Sequence, residues 1–151
     1  MIPGPGRGRV LLFALLPLAA WACGAKPQLA PVSGVVTLDG VPLPDAVVEF
    51  LPDPDRGTTG PRSTATTDEQ GRFRLTCDDG REGAVVGFHR VLIQDARAFP
   101  PPRGRPGAVT VTPASRVPAR YGKVTDTPLS LEVKADSQTV TLEVTGKSRP
   151  R

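Results

Sequence analysis

The sequence predicts an all-β protein, a seven-stranded Greek-key β-sandwich that follows an N-terminal signal segment. Three observations predict it. From Val32 onward the chain is a series of short runs, rich in β-branched and aromatic residues, that alternate with period two. Gly, Pro and Asp separate the runs, and the 16 Gly and 18 Pro of the chain argue against long helices. No stretch holds a convincing helical period.

The first 22 residues stand apart. Arg7 and Arg9 give a positive leader, residues 10–20 are almost wholly apolar, and small Ala22 precedes Cys23. Charge, a short apolar core and a small residue, in that order, make a secretory signal. The core is too short for the roughly 20 residues of a permanent membrane span. A small residue directly before a cysteine resembles the lipobox of bacterial lipoproteins. In that family the cysteine thiol is acylated and becomes the new N-terminus. Ala20 stands where the family usually has Leu, and Trp21 is bulky for its place. The alternative is an ordinary secreted chain cut nearby, with Cys23 a bystander. Residues 23–31 carry two prolines without periodicity and read as a tether.

The domain proper is expected over residues 32–146. A strand at 32–38 ends in Asp39-Gly40, a tight-turn signal. A second strand follows at 46–51, then a Pro-, Gly- and Asp-rich loop over 52–61. A short polar strand at 63–67 is expected to form a hairpin, through Asp68 to Gly71, with a strand at 72–76. Residues 88–94 form a strand apolar on both sides, central in its sheet. Pro100 to Gly107 reads as an exposed loop, and 109–111 as a short edge strand. Residues 118–122 make a structured turn, and strands at 129–133 and 139–144 close the domain. Residues 147–151 are a basic tail. Val36, Leu38, Val48, Phe50, Phe73, Leu75, Val91, Ile93, Leu131, Val133, Val140 and Leu142 are the expected core, two facing apolar layers.

Residues 32–50, from Val-Ser-Gly-Val-Val-Thr-Leu-Asp-Gly to Val-Val-Glu-Phe, resemble the opening of carboxypeptidase regulatory-like domains, which are sandwiches related in fold to transthyretin (prealbumin). Residues 66–73 are similar to their turn of Asp-x-x-Gly followed by an aromatic. Val117-Pro118-Ala119-Arg120-Tyr121 is similar to an Ile-Pro-x-x-Tyr segment of small planctomycete-type lipoproteins, which carry one such domain behind a lipobox. The physical roles of these motifs are structural: Asp39 and Asp68 suit bonding to turn amides, and Tyr121 suits packing its ring at the sandwich rim with its hydroxyl bonded to backbone.

Composition narrows the function. Removing 22 of 151 residues leaves 129, one domain. The formal charge of +4 includes Arg7 and Arg9, so the mature chain carries only +2. Its basic residues are scattered, with almost no interleaved aromatics, which speaks against nucleic acid as a partner. If Cys23 is acylated, Cys77 stands alone and reads as a small half-buried apolar residue. A Cys23–Cys77 bridge stays open only if lipidation fails.

Catalytic signatures are missing. His89, the only histidine, lies within a strand and reads as a half-buried structural side chain. There is no nucleophile elbow, Walker loop or dinucleotide fingerprint. The transthyretin-like fold has an enzymatic branch, the hydroxyisourate hydrolases, which rely on histidines and a C-terminal Tyr-Arg-Gly-Ser; this chain ends Lys147-Ser148-Arg149-Pro150-Arg151. Asp53 with Asp55, and Asp78 with Asp79, offer oxygens of the kind calcium takes, but the default reading is solvated loop acids. The expectation is therefore no catalytic residue, no cofactor and no metal site, with Cys23 as the lipidation site.

Together these features and the resemblance imply a non-enzymatic lipoprotein of the bacterial cell envelope, displaying a structural or interaction module toward a partner whose identity is open. Gly24 after the cysteine, rather than Asp, resembles the pattern of lipoproteins sent on to an outer membrane, facing periplasm or cell surface. The loop from Pro100 to Gly107, with Arg103 and Arg105, is either a contact or an unselected insertion. The alternative function is a secreted or surface glycan-binding module, for which the aromatics are few.

Overall fold

The computed structural model describes Met1 and residues 26–99 and 113–146. Cys23 with its signal segment, the loop 100–107, the expected strand 109–111 and the tail 147–151 lie outside the described residues. The protein is mostly β-strand, with two larger sheets in a sandwich-like arrangement. Its strands are β1 (Leu29–Ala30), β2 (Val32–Leu38), β3 (Val41–Pro42), β4 (Ala46–Pro52), β5 (Ser63–Thr66), β6 (Arg72–Arg74), β7 (Thr76–Cys77), β8 (Ala84–Val85), β9 (Gly87–Asp95), β10 (Ser130–Val133) and β11 (Gln138–Val144). Three single turns of 3₁₀ helix, Pro54–Arg56, Ala96–Ala98 and Ala119–Gly122, are the only helical pieces among the described residues.

One sheet runs β10-β9-β4-β5-β7, all antiparallel. The second is centred on β2. It pairs with β11 in parallel on one side, and with β3 and β6 in antiparallel fashion on the other. A two-stranded ribbon of β1 and β8 stands at one end. Between the sheets lie Val36, Val48, Phe50, Phe73, Leu75, Val91, Ile93, Val133, Leu142 and Val144, all buried. Leu38, Leu131 and Val140 are only partly buried at its margin. Covering a large aliphatic or aromatic side chain contributes on the order of 1.5–3 kcal/mol, most of it offset by ordering the chain.

The expected hairpin of 63–67 with 72–76 forms only at its two ends, where the Asp68 N–H donates to the Arg72 carbonyl and Thr64 stands opposite Thr76. β5 pairs with β4 and β7, whereas β6 pairs with β2. The turn at Asp68 to Gly71 therefore carries the chain from one sheet to the other, and the expected strand 72–76 splits at Leu75 and returns to the first sheet as β7. The turn itself follows expectation: Asp68 Oδ1 accepts the N–H groups of Gln70 at 2.9 Å and Arg72 at 2.8 Å.

The domain also starts earlier than Val32. Leu29 and Ala30, expected in the tether, pair with Val85 and Ala84. Gly83 makes this possible. Its φ is +100°, and a Cβ there would run into the Ala30 carbonyl. On β2, a Cβ at Gly34 would stand 2.8 Å from the Phe73 ring. The missing side chain lets that ring come close to the strand.

Candidate functional site

The tether enters at one end of the sandwich. The Gln28 carbonyl accepts the Val86 N–H at 2.9 Å, and β1 continues the ribbon with β8. The loops after β4 and β7 share this end, with Pro27 packed close to Gly60 and to Arg81. The anchor expected at Cys23 is six residues before Leu29 in the sequence, where β1 begins.

The acids singled out for calcium are held by arginines. Asp53 and Asp55 meet Arg90 at 3.3 and 3.2 Å. Asp78 meets Arg62 at 2.8 Å, and Asp79 meets Arg81. Asp53 Oδ1 also accepts the Asp55 N–H, closing the 3₁₀ turn. Among the described residues no group of three or more His, Cys, Asp or Glu could hold a metal ion.

His89 is more deeply placed than its half-buried reading. It is 1% exposed, stacked obliquely against Phe50 with ring centroids 5.8 Å apart. Nδ1 bonds the Gly87 carbonyl at 3.1 Å, and Nε2 is buried without a partner among the described residues. Burial pushes its pKa below the ordinary value, against a smaller opposing effect of the Gly87 carbonyl. Cys77 is likewise fully buried rather than half-buried, opposite Ser63 on the neighbouring strand.

The far end is fastened by a pair the sequence reading missed. Asp95, 2% exposed at the end of β9, takes Arg116 in a two-pronged contact, Nη2 to Oδ1 at 2.7 Å and Nε to Oδ2 at 2.8 Å. Arg116 Nη2 also donates to the Pro44 carbonyl at 2.7 Å. The Arg116 guanidinium holds the Asp95 carboxyl at about 2, outweighing burial. An acid directly after a strand and an arginine directly before Val117-Pro118 were the available signals, but 21 residues separate them.

Beyond Arg116 the chain makes the 3₁₀ turn Ala119–Gly122 and closes the side of the sandwich. Tyr121, 4% exposed, packs into the core, deeper than the rim position expected for it. Its hydroxyl accepts the Thr145 N–H at 3.0 Å, and Arg120 donates to the Thr145 carbonyl at 2.6 Å.

Among the described residues β11 is an edge strand. Gln138 N–H donates to the Pro31 carbonyl at 3.1 Å, and Val144 C=O accepts from Asp39 N–H at 2.9 Å. By the alternation of a parallel ladder, Gln138, Val140, Leu142 and Val144 bond toward β2. The N–H and C=O groups of Thr139, Thr141 and Glu143 therefore point away from the sheet. The strand contains no Pro, no Lys and no bulge, and exposed Glu143 is its one charged side chain.

Exposed aromatic surface is sparse. Phe50, Phe73 and Tyr121 are buried, and the Arg56 guanidinium lies 3.5 Å over the centre of the Phe88 ring. Phe99, 52% exposed, is the one large open ring among the described residues. No helix among those residues is long and apolar enough to cross a membrane. No family model matches this chain, and comparison with curated proteins and with solved structures returns no match.

Proposed function

We propose that this chain is a non-enzymatic lipoprotein of the bacterial cell envelope, anchored through Cys23 and presenting a carboxypeptidase regulatory-like β-sandwich as a structural or interaction module. The observation that carries the reading is the polarity of the domain. Among the described residues the tether joins it at the β1–β8 end, and the Asp95–Arg116 end lies opposite, away from the anchor. The burial of the only histidine against Phe50 supports a non-catalytic role. Acyl chains at Cys23 would hold the domain at a membrane without a span. An outer membrane, with the domain facing periplasm or cell surface, is the proposed site.

Glycan binding is the weaker alternative. A sugar-stacking face needs two or three open rings, and Phe99 is a single one. The test is the intact mass of the protein recovered from its native membrane fraction. The expected mass is that of residues 23–151 plus acyl chains. An unacylated, cleaved chain would overturn the anchor and leave a freely secreted domain.

A further inference from the structure

We infer that the tether end of the sandwich, the loops of residues 57–61 and 78–83 around Pro27, is a contact face for the phosphate-bearing headgroups of the bilayer that holds Cys23. The contact rests on the acylation of Cys23 proposed above, and it names the first surface that the anchored domain meets. Covalent reach imposes it. Acyl chains in the hydrocarbon keep the Cys23 backbone at headgroup depth. Lys26 is three residues after Cys23, and three residues span at most about 11 Å in any conformation. The domain thus begins at the membrane surface.

Both loops flank the point of entry. A Cβ at Gly60 would stand 3.5 Å from the Pro27 ring, and Arg81 Nη1 donates to the Pro27 carbonyl at 3.4 Å. Leaning the domain about Lys26 toward either loop presses that loop onto the headgroups.

The chemistry of the face suits that neighbour. A groove of about 540 Å³ beside the entry is lined by uncharged residues, among them Pro27, Thr59, Pro61, Val85 and Val86, so laying it on a bilayer buries no charge there. The acids of the second loop are each matched by an arginine: Asp78 by Arg62 at 2.8 Å, Asp79 by Arg81 at 2.6 Å and Glu82 by Arg74 at 3.0 Å. Exposed Lys26 then puts a positive charge at the entry, which anionic lipid favours.

The other end stands well clear. β9 runs about 27 Å from Gly87, beside the entry, to Asp95. Phe99 and Gly146, from which residues 100–112 and 147–151 continue, both belong to that end. Phe99 closes the 3₁₀ turn capped by Asp95, and Thr145 is bonded to Tyr121, whose neighbour Gly122 lies against Gln94.

The test uses the full acylated chain in vesicles of phosphatidylethanolamine and phosphatidylglycerol, with a nitroxide on a fraction of the headgroups. A fluorophore is placed on Thr59→Cys or, for comparison, on Arg97→Cys; both sites are exposed, and native Cys77 is buried. The label at Thr59 should lose most of its emission to the nitroxide, and the label at Arg97 almost none. Inserting a ten-residue Gly/Ser segment after Ala25, with a mean span of roughly 17 Å, should leave the protein on the vesicles and bring Thr59 to the level of Arg97. A chain that does not float with the vesicles overturns the anchor, and this contact with it. A chain that floats but is quenched equally at both sites overturns the contact alone. So does quenching at Thr59 that survives the insertion.

Discussion

The Tyr121 hydroxyl accepts the Thr145 N–H at 3.0 Å, and the adjacent Arg120 side chain donates to the Thr145 carbonyl at 2.6 Å. Two side chains from one 3₁₀ turn thereby do for Thr145 what a neighbouring strand would do. The tyrosine ring meanwhile fills the gap between the two sheets. Removing the hydroxyl alone separates these roles. Tyr121→Phe hands the Thr145 amide, on an exposed residue, to water and should cost about 0.5–1.5 kcal/mol. Tyr121→Ala also empties the core and should cost about 3–5 kcal/mol. Urea unfolding of both variants, at unchanged m-value, checks the order.

How much of this was legible in the sequence depends on range. β2 and β4 alternate and face the core as expected, and β9 is covered on both sides as its unbroken apolar run implies, with Val91, Leu92 and Ile93 all buried, because the pattern and the burial it reports are both local. The sheet switch at Leu75 was hidden because Phe73 and Leu75 point inward in either sheet, so alternation runs unbroken across the change. β1 was hidden because two residues carry no period. The partnership of Tyr121 with backbone could be expected from residue chemistry, but not that the backbone would be Thr145. Asp95 and Arg116 were passed over because each alone looks like a surface charge. The place of β11 at a sheet edge among the described residues is a property of topology: residues 138–144 read the same whether or not another strand lies beyond them.

The joint of tether and domain rests on Gly83. Its φ of +100° and its closeness to the Ala30 backbone leave no room for a side chain. Gly83→Ala should destabilise by roughly 2 kcal/mol, more than the usual gain from a stiffer unfolded chain. The damage should stay local, releasing β1 from β8. Limited proteolysis should then cut near Leu29 and Ala30 faster than in the parent, while amide exchange in β4 and β9 stays slow. Uniformly faster exchange would mean that the ribbon is integral to the core.

The Asp95–Arg116 contact makes the far end sensitive to strong acid. With the folded-state pKa held at about 2 against an ordinary 3.8, the unfolded chain takes up the proton first. The stabilisation is complete above pH 3.8 and is lost as pH falls through about 2. The difference corresponds to about 2 kcal/mol at one pH unit per 1.36 kcal/mol. Asp95→Asn should remove that acid limb. At neutral pH it should cost about 3 kcal/mol, the lower part of the range for breaking a buried pair, because the Arg116 side chain keeps 28% exposure. Thermal unfolding followed from pH 7 to 2 measures both effects.

His89 should govern the milder range. Its ring is buried beside Phe50, with Nε2 facing no acceptor among the described residues, so a second proton there would be a buried charge without a partner among them. The unfolded chain binds that proton near the ordinary value of 6.5, and the folded chain only at lower pH. Stability is therefore full above pH 6.5 and falls below it. The slope approaches about 1.4 kcal/mol per pH unit until the folded-state pKa is reached. Replacing the ring by one that cannot titrate tests this directly. His89→Phe keeps most of the volume, gives up the bond to Gly87 and removes the orphaned nitrogen. It should change stability at pH 8 by no more than about 1.5 kcal/mol. Between pH 6.5 and 5 its stability should be nearly flat while that of the parent declines, so the two urea midpoints should converge or cross on acidification. Parallel declines in the two proteins would assign the acid sensitivity to other groups.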